Sequence, residues 1–412
     1  MIYYVIKLGI NGSHFLSNSS FIKSEFKCKR QGEVIMIKIN LRKISRHKSG
    51  DIDSKKRNNS TEWLADKIHC TIIKRTLFIN ILLGIVVFPL ILISLGCDDS
   101  NDDDDELIGN WFELSDFEGV PRSGAVVFCI DDKAYIGTGY DGTDRLNDFW
   151  RYDPAVDGWT RIADFPGSPR NGAVAFATDS KGYVGTGYDG KKKLKDFWEY
   201  DPQTNSWTQI DSLIGTARYG AVAFAINNKG YVGTGYDGWA LKDFYEYDPA
   251  TGQWTQKLSL RGGKRQNAVA FVIDNKGYVC TGIDNASYET DLWEYDPILD
   301  TWTRKRDIAD VSDDDYDDDY SNISGIYKVS FSLNGKGYIA TGGYSSPGSY
   351  VWEYDPILDL WEQKTSFESS GRIEAVGFSI GNIGYITTGR NSSYYFDDLW
   401  GFYPDVEQVD ND

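Results

Sequence analysis

Histidine is the residue this chain most conspicuously lacks. Three occur in 412 residues, His14, His47 and His69, and none follows position 70. Their absence downstream excludes His-based acid–base catalysis and most transition-metal centres from that part of the chain. Cysteine is also sparse. Cys28, Cys70, Cys97, Cys129 and Cys280 are too scattered to form a disulfide framework, and Cys129 and Cys280 are expected to be small buried apolar residues. Positive charge is scarce where histidine is scarce. Residues 1–96 hold 16 Lys and Arg against 6 Asp and Glu, whereas the rest hold 27 against 55. So acidic a region repels nucleic acid and anionic membrane surface, and no nucleic-acid partner is expected. Only one long apolar run is present, Leu77 to Leu95.

What the chain does have is a repeat. Arg122-Ser-Gly-Ala-Val-Val-Phe128 is followed by Lys133-Ala-Tyr-Ile-Gly-Thr-Gly-Tyr-Asp-Gly142, by Asp148-Phe-Trp-Arg-Tyr-Asp-Pro154 and by Trp159. Nearly the same words run from Arg170 to Trp207 and from Arg218 to Trp254, and six copies can be aligned. A fixed period of this length marks a closed repeat architecture. Each copy holds four short apolar or aromatic runs. In the second copy they are Gly172–Ala177, small and continuously apolar, then Gly182–Gly187, then the alternating Asp196–Asp201, then Asn205–Ile210. Turn residues separate the runs, as antiparallel strands require. Four-stranded sheets repeated radially form a β-propeller.

The pattern resembles the Kelch family. Its marks are glycines closing the second strand, then a Tyr and a Trp at fixed spacing. Here the Gly pair stands as Gly342-Gly343 in the fifth copy and as endings such as Gly185-Thr-Gly187 elsewhere. The Tyr series is Tyr152, Tyr200, Tyr247, Tyr295 and Tyr354, with Phe402 in the last copy, and the Trp series is Trp159, Trp207, Trp254, Trp302 and Trp361. The fold expected is all-β, a six-bladed Kelch-type propeller over 108–404, of the kind found in the central domain of galactose oxidase. The sixth copy lacks its closing Trp, and Trp111 stands one 48-residue step before Trp159. The strand around Trp111 is therefore expected to complete blade six and remove a free edge.

The leader carries an address. Lys74-Arg75 precede the apolar run, which ends Leu95-Gly96-Cys97. A basic flank before an apolar stretch is a secretory pattern, and this ending resembles a bacterial lipoprotein signal with Cys97 as the lipidated residue. The acidic run after it resembles the surface-export signal of Bacteroidota lipoproteins. The organisation expected is a basic segment over 1–66, upstream of the true translation start, a signal peptide over 67–96, an acidic tether over 97–107, the propeller, and an acidic tail over 405–412. The localisation implied is the cell envelope, as a surface-exposed outer-membrane lipoprotein. A single-pass anchor is the alternative, since the run approaches the roughly 20 residues that span a bilayer.

Ligand-binding candidates fall on the face formed by the loops after the second strands. Arg122, Arg170, Arg218, Arg265 and Arg372 enter the innermost strands, with Gly325 in the fifth copy. A near-ring of guanidiniums suits acidic ligands; pairing with Asp148, Asp196, Asp243, Asp291 and Asp398 is the competing role. Tyr140-Asp141-Gly142, Tyr188-Asp189-Gly190 and Tyr236-Asp237-Gly238, with Trp239, suit sugar stacking and hydroxyl recognition, against a plain turn role for Asp-Gly. The insertion Asp307–Asp319 could hold Ca²⁺ weakly but is expected to be a solvated acidic loop.

The function expected is a non-catalytic envelope module that binds a glycan or a protein, with no cofactor and no metal. Copper-oxidase chemistry is excluded because the repeats hold no histidine. The alternatives are a sugar-active enzyme resembling a sialic-acid epimerase, with Glu374 beside Arg372 as its candidate carboxylate, and a structural subunit of an envelope complex.

Overall fold

The computed structural model describes the backbone of Ile22–Arg30 and Glu33–Leu41, and residues 107–409 apart from Ser345. The chain divides into two units, Met1–Asn101 and Asp102–Asp412. In the first, the two strands pair antiparallel, from Ile22 opposite Leu41 to Arg30 opposite Glu33. This hairpin lies within the 1–66 segment, where the sequence shows no periodicity. The apolar run, Cys97 and the tether up to residue 106 lie outside the described residues, as do 410–412. Among the described residues, no helix is long and apolar enough to cross a membrane.

The second unit is a six-bladed β-propeller of four-stranded antiparallel blades. Blade two shows the plan: Val174–Ala177, Gly182–Gly185, Phe197–Asp201 and Ser206–Ile210, in order from the axis outward. The innermost strands pack side by side around the axis, and that of blade six, Val376–Ile380, closes on that of blade one, Val126–Ile130. Blade six takes its outer strand from the other end of the domain. Asn110–Leu114 pairs with Leu399–Tyr403, placing Trp111 opposite Phe402. The closure expected from the missing Trp is what the fold adopts. The described part of the acidic tail folds back onto this joint, where Val406 O accepts from Gly109 N and Asn110 Oδ1 accepts from Val409 N.

The repeat words are packing instructions. In blades one to three the second strand ends in glycine opposite a phenylalanine: Gly137 and Phe149, Gly185 and Phe197, Gly233 and Phe244. A Cβ at Gly185 would lie 2.3 Å from the Phe197 ring, so only glycine fits. In blades four to six Cys280, Ala340 and Thr387 take that place, and their partners shrink to Leu292, Val351 and Leu399. The Kelch-type Tyr hydroxyls of Tyr152, Tyr200, Tyr295 and Tyr354 donate to the turn residues Asp157, Asn205, Asp300 and Asp359, each at 2.8 Å. The Trp indoles reach across to the neighbouring blade. Trp159 Nε1 donates to Ser115 O and Trp207 Nε1 to Ala163 O, both at 3.0 Å. The core thus lies between blades, as in the cluster joining Phe128 and Phe149 to Phe165, Val184 and Tyr200.

Two sequence expectations change here. Cys280 is buried and Cys129 as a residue is only half-buried, but the Cys129 thiol is itself enclosed, and that burial pushes it up to about 12; both cysteines are free. The insertion is not simply solvated. Ile308, with Tyr320 and Ile323 just after the insertion, joins the core, and Asp317 is buried, accepting from Val311 N, Ser312 N and Ser312 Oγ. Its apolar residues alternate with the acids, so the loop folds down while Asp313–Asp315 stay in water.

Candidate functional site: the mouth of the channel

The five candidate arginines are used up inside the blades. Arg122, Arg170, Arg218, Arg265 and Arg372 are each 0% exposed. Arg122, Arg170, Arg218 and Arg372 form two-pronged pairs with Asp148, Asp196, Asp243 and Asp398, while Arg265 meets Asp291 through one prong at 2.5 Å. Their Nη1 atoms also donate to the carbonyls of Thr138, Thr186, Thr234, Thr281 and Thr388. Those threonines hold φ between 58° and 61°, a conformation costly for a β-branched residue, and it turns each carbonyl toward the guanidinium. Of the two roles that the sequence left open for these arginines, the geometry is that of the pairing with the repeat aspartates, an internal clamp joining strand entrance to strand exit. The physical reason is charge: a guanidinium this buried needs a carboxylate, and each blade supplies its own.

Blade five breaks the clamp on both sides. Gly325 replaces the arginine and Tyr350 the aspartate. Lys328 reaches into the gap, its Nζ donating to Asn322 O at 2.8 Å and to Thr341 O at 3.0 Å. Burial without a carboxylate pushes this ammonium down to about 8.

The Tyr-Asp-Gly loops divide their duties. Asp141 Oδ1 accepts from Thr143 N and Asp144 N, Asp189 Oδ1 from Lys191 N and Lys192 N, and Asp237 Oδ1 from Trp239 N. These aspartates act first as turn formers. Their tyrosines do share one surface. Tyr395 and Tyr140 lie 6.2 Å apart, Arg145 sits between Tyr140 and Tyr188 at 5.2 and 4.8 Å, Tyr219 touches both Tyr188 and Tyr236, and Lys193 covers Tyr236. Trp239 stands beyond the arc, 71% exposed.

Inside the arc is a feature that no single repeat word announces. The residue two after each clamp position forms a closed belt. Gly172 N donates to Gly124 O, Gly220 N to Gly172 O, Asn267 N to Gly220 O, Tyr327 N to Asn267 O, Glu374 N to Tyr327 O, and Gly124 N to Glu374 O, over 2.8–3.4 Å. All six residues hold φ of 55–60°. Glycine adopts that conformation freely, whereas Asn267, Tyr327 and Glu374 adopt it at a cost of order 1 kcal/mol each. Half of the belt is thus bare and half carries polar side chains. Those side chains cluster. Glu374 Oε2 accepts from Arg390 Nε at 2.7 Å. Burial and the nearby Glu374 charge push the Tyr327 hydroxyl up to about 12. Burial works against the Arg390 charge, but the Glu374 carboxylate overrides it and holds the guanidinium above its usual range. Arg390 occupies the loop position that Tyr140, Tyr188 and Tyr236 hold in blades one to three. The signal in the sequence was the alternation of Gly, Gly, Gly, Asn, Tyr, Glu at one repeat position.

Comparison with known proteins supports the architecture. Residues 110–215 match the family described as the KLHDC2/KLHL20/DRC7 Kelch-repeats domain. The matched stretch spans blades one and two and the strand that closes blade six. A solved structure described as "Structure of YjhT" superimposes with a TM-score of 0.58 at 21% identity, covering 69% of this chain and 96% of that one. At that identity the likeness concerns the fold alone. No curated protein matches the chain. A Kelch propeller is a general scaffold for binding and interaction, and the belt and arc are what individualise this one.

Proposed function

We propose that this protein is a non-catalytic binding module that recognises a glycan at the channel mouth. The observation that carries the reading is the half-bare belt. Three residues accept an unfavourable backbone conformation to bring an amide, a phenol and a carboxylate to one side of the axis, beside an arc of tyrosines. Tyrosine faces suit the C–H faces of a sugar ring, and Asn267, Glu374 and Arg390 suit its hydroxyls. The pairing of Glu374 with Arg390 favours binding over proton transfer, because the carboxylate is already engaged by the guanidinium at 2.7 Å. Glycan-array binding should be selective for the parent protein. Glu374→Gln and Arg390→Met should each weaken it about tenfold, the worth of one charge-assisted hydrogen bond. An array on which the parent binds nothing would end the glycan reading and leave a protein partner as the ligand.

In the same reading the module is displayed at the cell envelope, with Cys97 carrying the lipid and the acidic residues after it acting as a spacer. The support is the sequence pattern at 74–106 alone. Incorporation of an alkyne-labelled palmitate is expected in the parent and absent in Cys97→Ser. Equal labelling of both would refute the lipid anchor.

A further inference from the structure

The flank of blade five departs from the symmetry of the other blades in a second way. Every blade carries an indole or phenol donor at two fixed positions, and outside blade five each such donor has an acceptor. On the third strand, Trp150, Trp198, Trp293 and Trp400 donate to the clamp aspartates, as does the Tyr245 hydroxyl in blade three, over 2.6–3.0 Å. On the outer strand, Trp111, Trp159, Trp207, Trp254 and Trp302 donate to backbone carbonyls over 2.9–3.2 Å. In blade five both donors are left over. Trp352 lost its acceptor when Tyr350 replaced the aspartate, and Trp361 packs against the region of the 307–319 insertion, with Ile308 and Tyr320 in the same cluster. Trp352 and Trp361 are 3% and 6% exposed, and neither Nε1 has a hydrogen-bond partner among the described residues.

Both residues line the same cavity, of about 770 Å³. Its other walls are Tyr316 from the insertion and Tyr320 just after it, the carboxylates Asp319 and Glu362, and the apolar residues Leu107 and Ile108. Tyr320 stands edge-on to Trp352 at 5.9 Å, as Phe117 does to Trp150 at 6.1 Å, so the indole keeps the orientation of its repeat position. A buried N–H without an acceptor is left with its desolvation cost uncompensated, and two of them on one cavity point to an acceptor that is supplied from outside.

We propose that this cavity is a carbohydrate-binding site, separate from the channel mouth and independent of the reading given for it. Its chemistry selects the ligand class. Aromatic walls call for a ring with an apolar face. Two indole donors call for oxygen acceptors. Asp319 and Glu362 call for hydroxyl donors and repel anions. A sugar ring meets all three demands. An organic ammonium ion meets the first and third but leaves both indoles unpaired. Because the two Nε1 atoms are covered from solvent, an oxygen reaches them from the cavity side as the insertion wall yields.

The test is an indole N–H NMR titration of the full-length protein with a panel of methyl pyranosides, with Trp352→Phe and Trp361→Phe identifying the two signals. At least one pyranoside should move both signals. Trp361→Phe should weaken that sugar about tenfold, whereas Trp302→Phe, which removes a partnered indole, should not. The same shifts should persist in Glu374→Gln, which disables the channel mouth. The proposal is overturned if no pyranoside moves the two signals, if tetramethylammonium moves them and the sugars do not, or if the response disappears in Glu374→Gln.

Discussion

A chain shortened to begin at Phe117 is expected to lose the cooperative unfolding transition of the propeller. Of the propeller's 24 blade strands the shortening removes one, but that strand is the clasp. Without Asn110–Leu114, blade six keeps three strands, and Leu399–Tyr403 becomes an open edge. Phe402, fully buried in the intact domain, loses the Trp111 ring stacked on it at 4.4 Å. The bond from Trp111 Nε1 to Thr365 O, which ties blade six to blade five, is lost as well. The milder variant Trp111→Ala is expected to cost about 3–5 kcal/mol, the usual price of truncating a buried aromatic. That corresponds to a fall in Tm of roughly 10 °C for a domain of this size. Circular dichroism melts of the two variants decide the matter. A shortened chain that melts with the parent would mean the ring is held by its innermost strands alone.

Arg218→Met is expected to destabilise the fold by about 3–5 kcal/mol, because it strands a carboxylate in a mostly buried place. Arg218 Nη1 and Nη2 hold Asp243 at 2.6 and 2.8 Å, and Nη1 and Nε also hold the carbonyls of Thr234 and Thr216. Burial alone would push the Asp243 carboxyl up; the guanidinium more than offsets this and holds it below the usual carboxylate range. Asp148, Asp196 and Asp398 are held low in the same way. A carboxyl with a depressed folded value stabilises the fold above its unfolded value of about 4, and that stabilisation is lost as pH falls through the folded value. Urea midpoints of the parent should therefore fall steeply below about pH 4, with Arg218→Met showing a shallower fall.

Lys328→Met makes the informative contrast. It removes a buried cation that has no carboxylate to strand, so at pH 7 it should stay within about 1 kcal/mol of the parent. The folded value of Lys328 lies near 8, below the unfolded value of about 10.4. The unfolded chain thus binds the extra proton between these values, and parent stability should gain as pH rises through that window. The variant should lack this gain. A cost equal to that of Arg218→Met would show that Lys328 stabilises blade five as the arginines stabilise the others.

Much of the fold was legible because repetition amplifies weak local signals. The strands of blade two were readable to within two residues from apolar alternation and turn words, and the closure from the single missing Trp. The hairpin at 22–41 was not legible, since no repeat reinforced it. The site was legible only in part. Tyr140, Tyr188 and Tyr236 do share a surface, but a linear reading could not show that Arg145 sits between two of them. Glu374 drew notice for its charge, while Asn267 and Tyr327 did not, because their significance lies in a hydrogen-bond belt joining residues about 50 positions apart.

The sequence alone determined the number of blades, the strand order within them and the way the ends meet, because periodicity and side-chain size are local properties that survive in one dimension. It also supplied every member of the arginine–aspartate clamps. Only the tertiary structure decided what those arginines do. Pairing depends on which carboxylate the next strand brings within 3 Å, and on whether water can reach the guanidinium once it does. The same reason makes the consequence in blade five visible only in three dimensions: Gly325 and Tyr350 mark the lost pair in the sequence, but a lost acceptor becomes an unpaired donor only when packing shuts the water out.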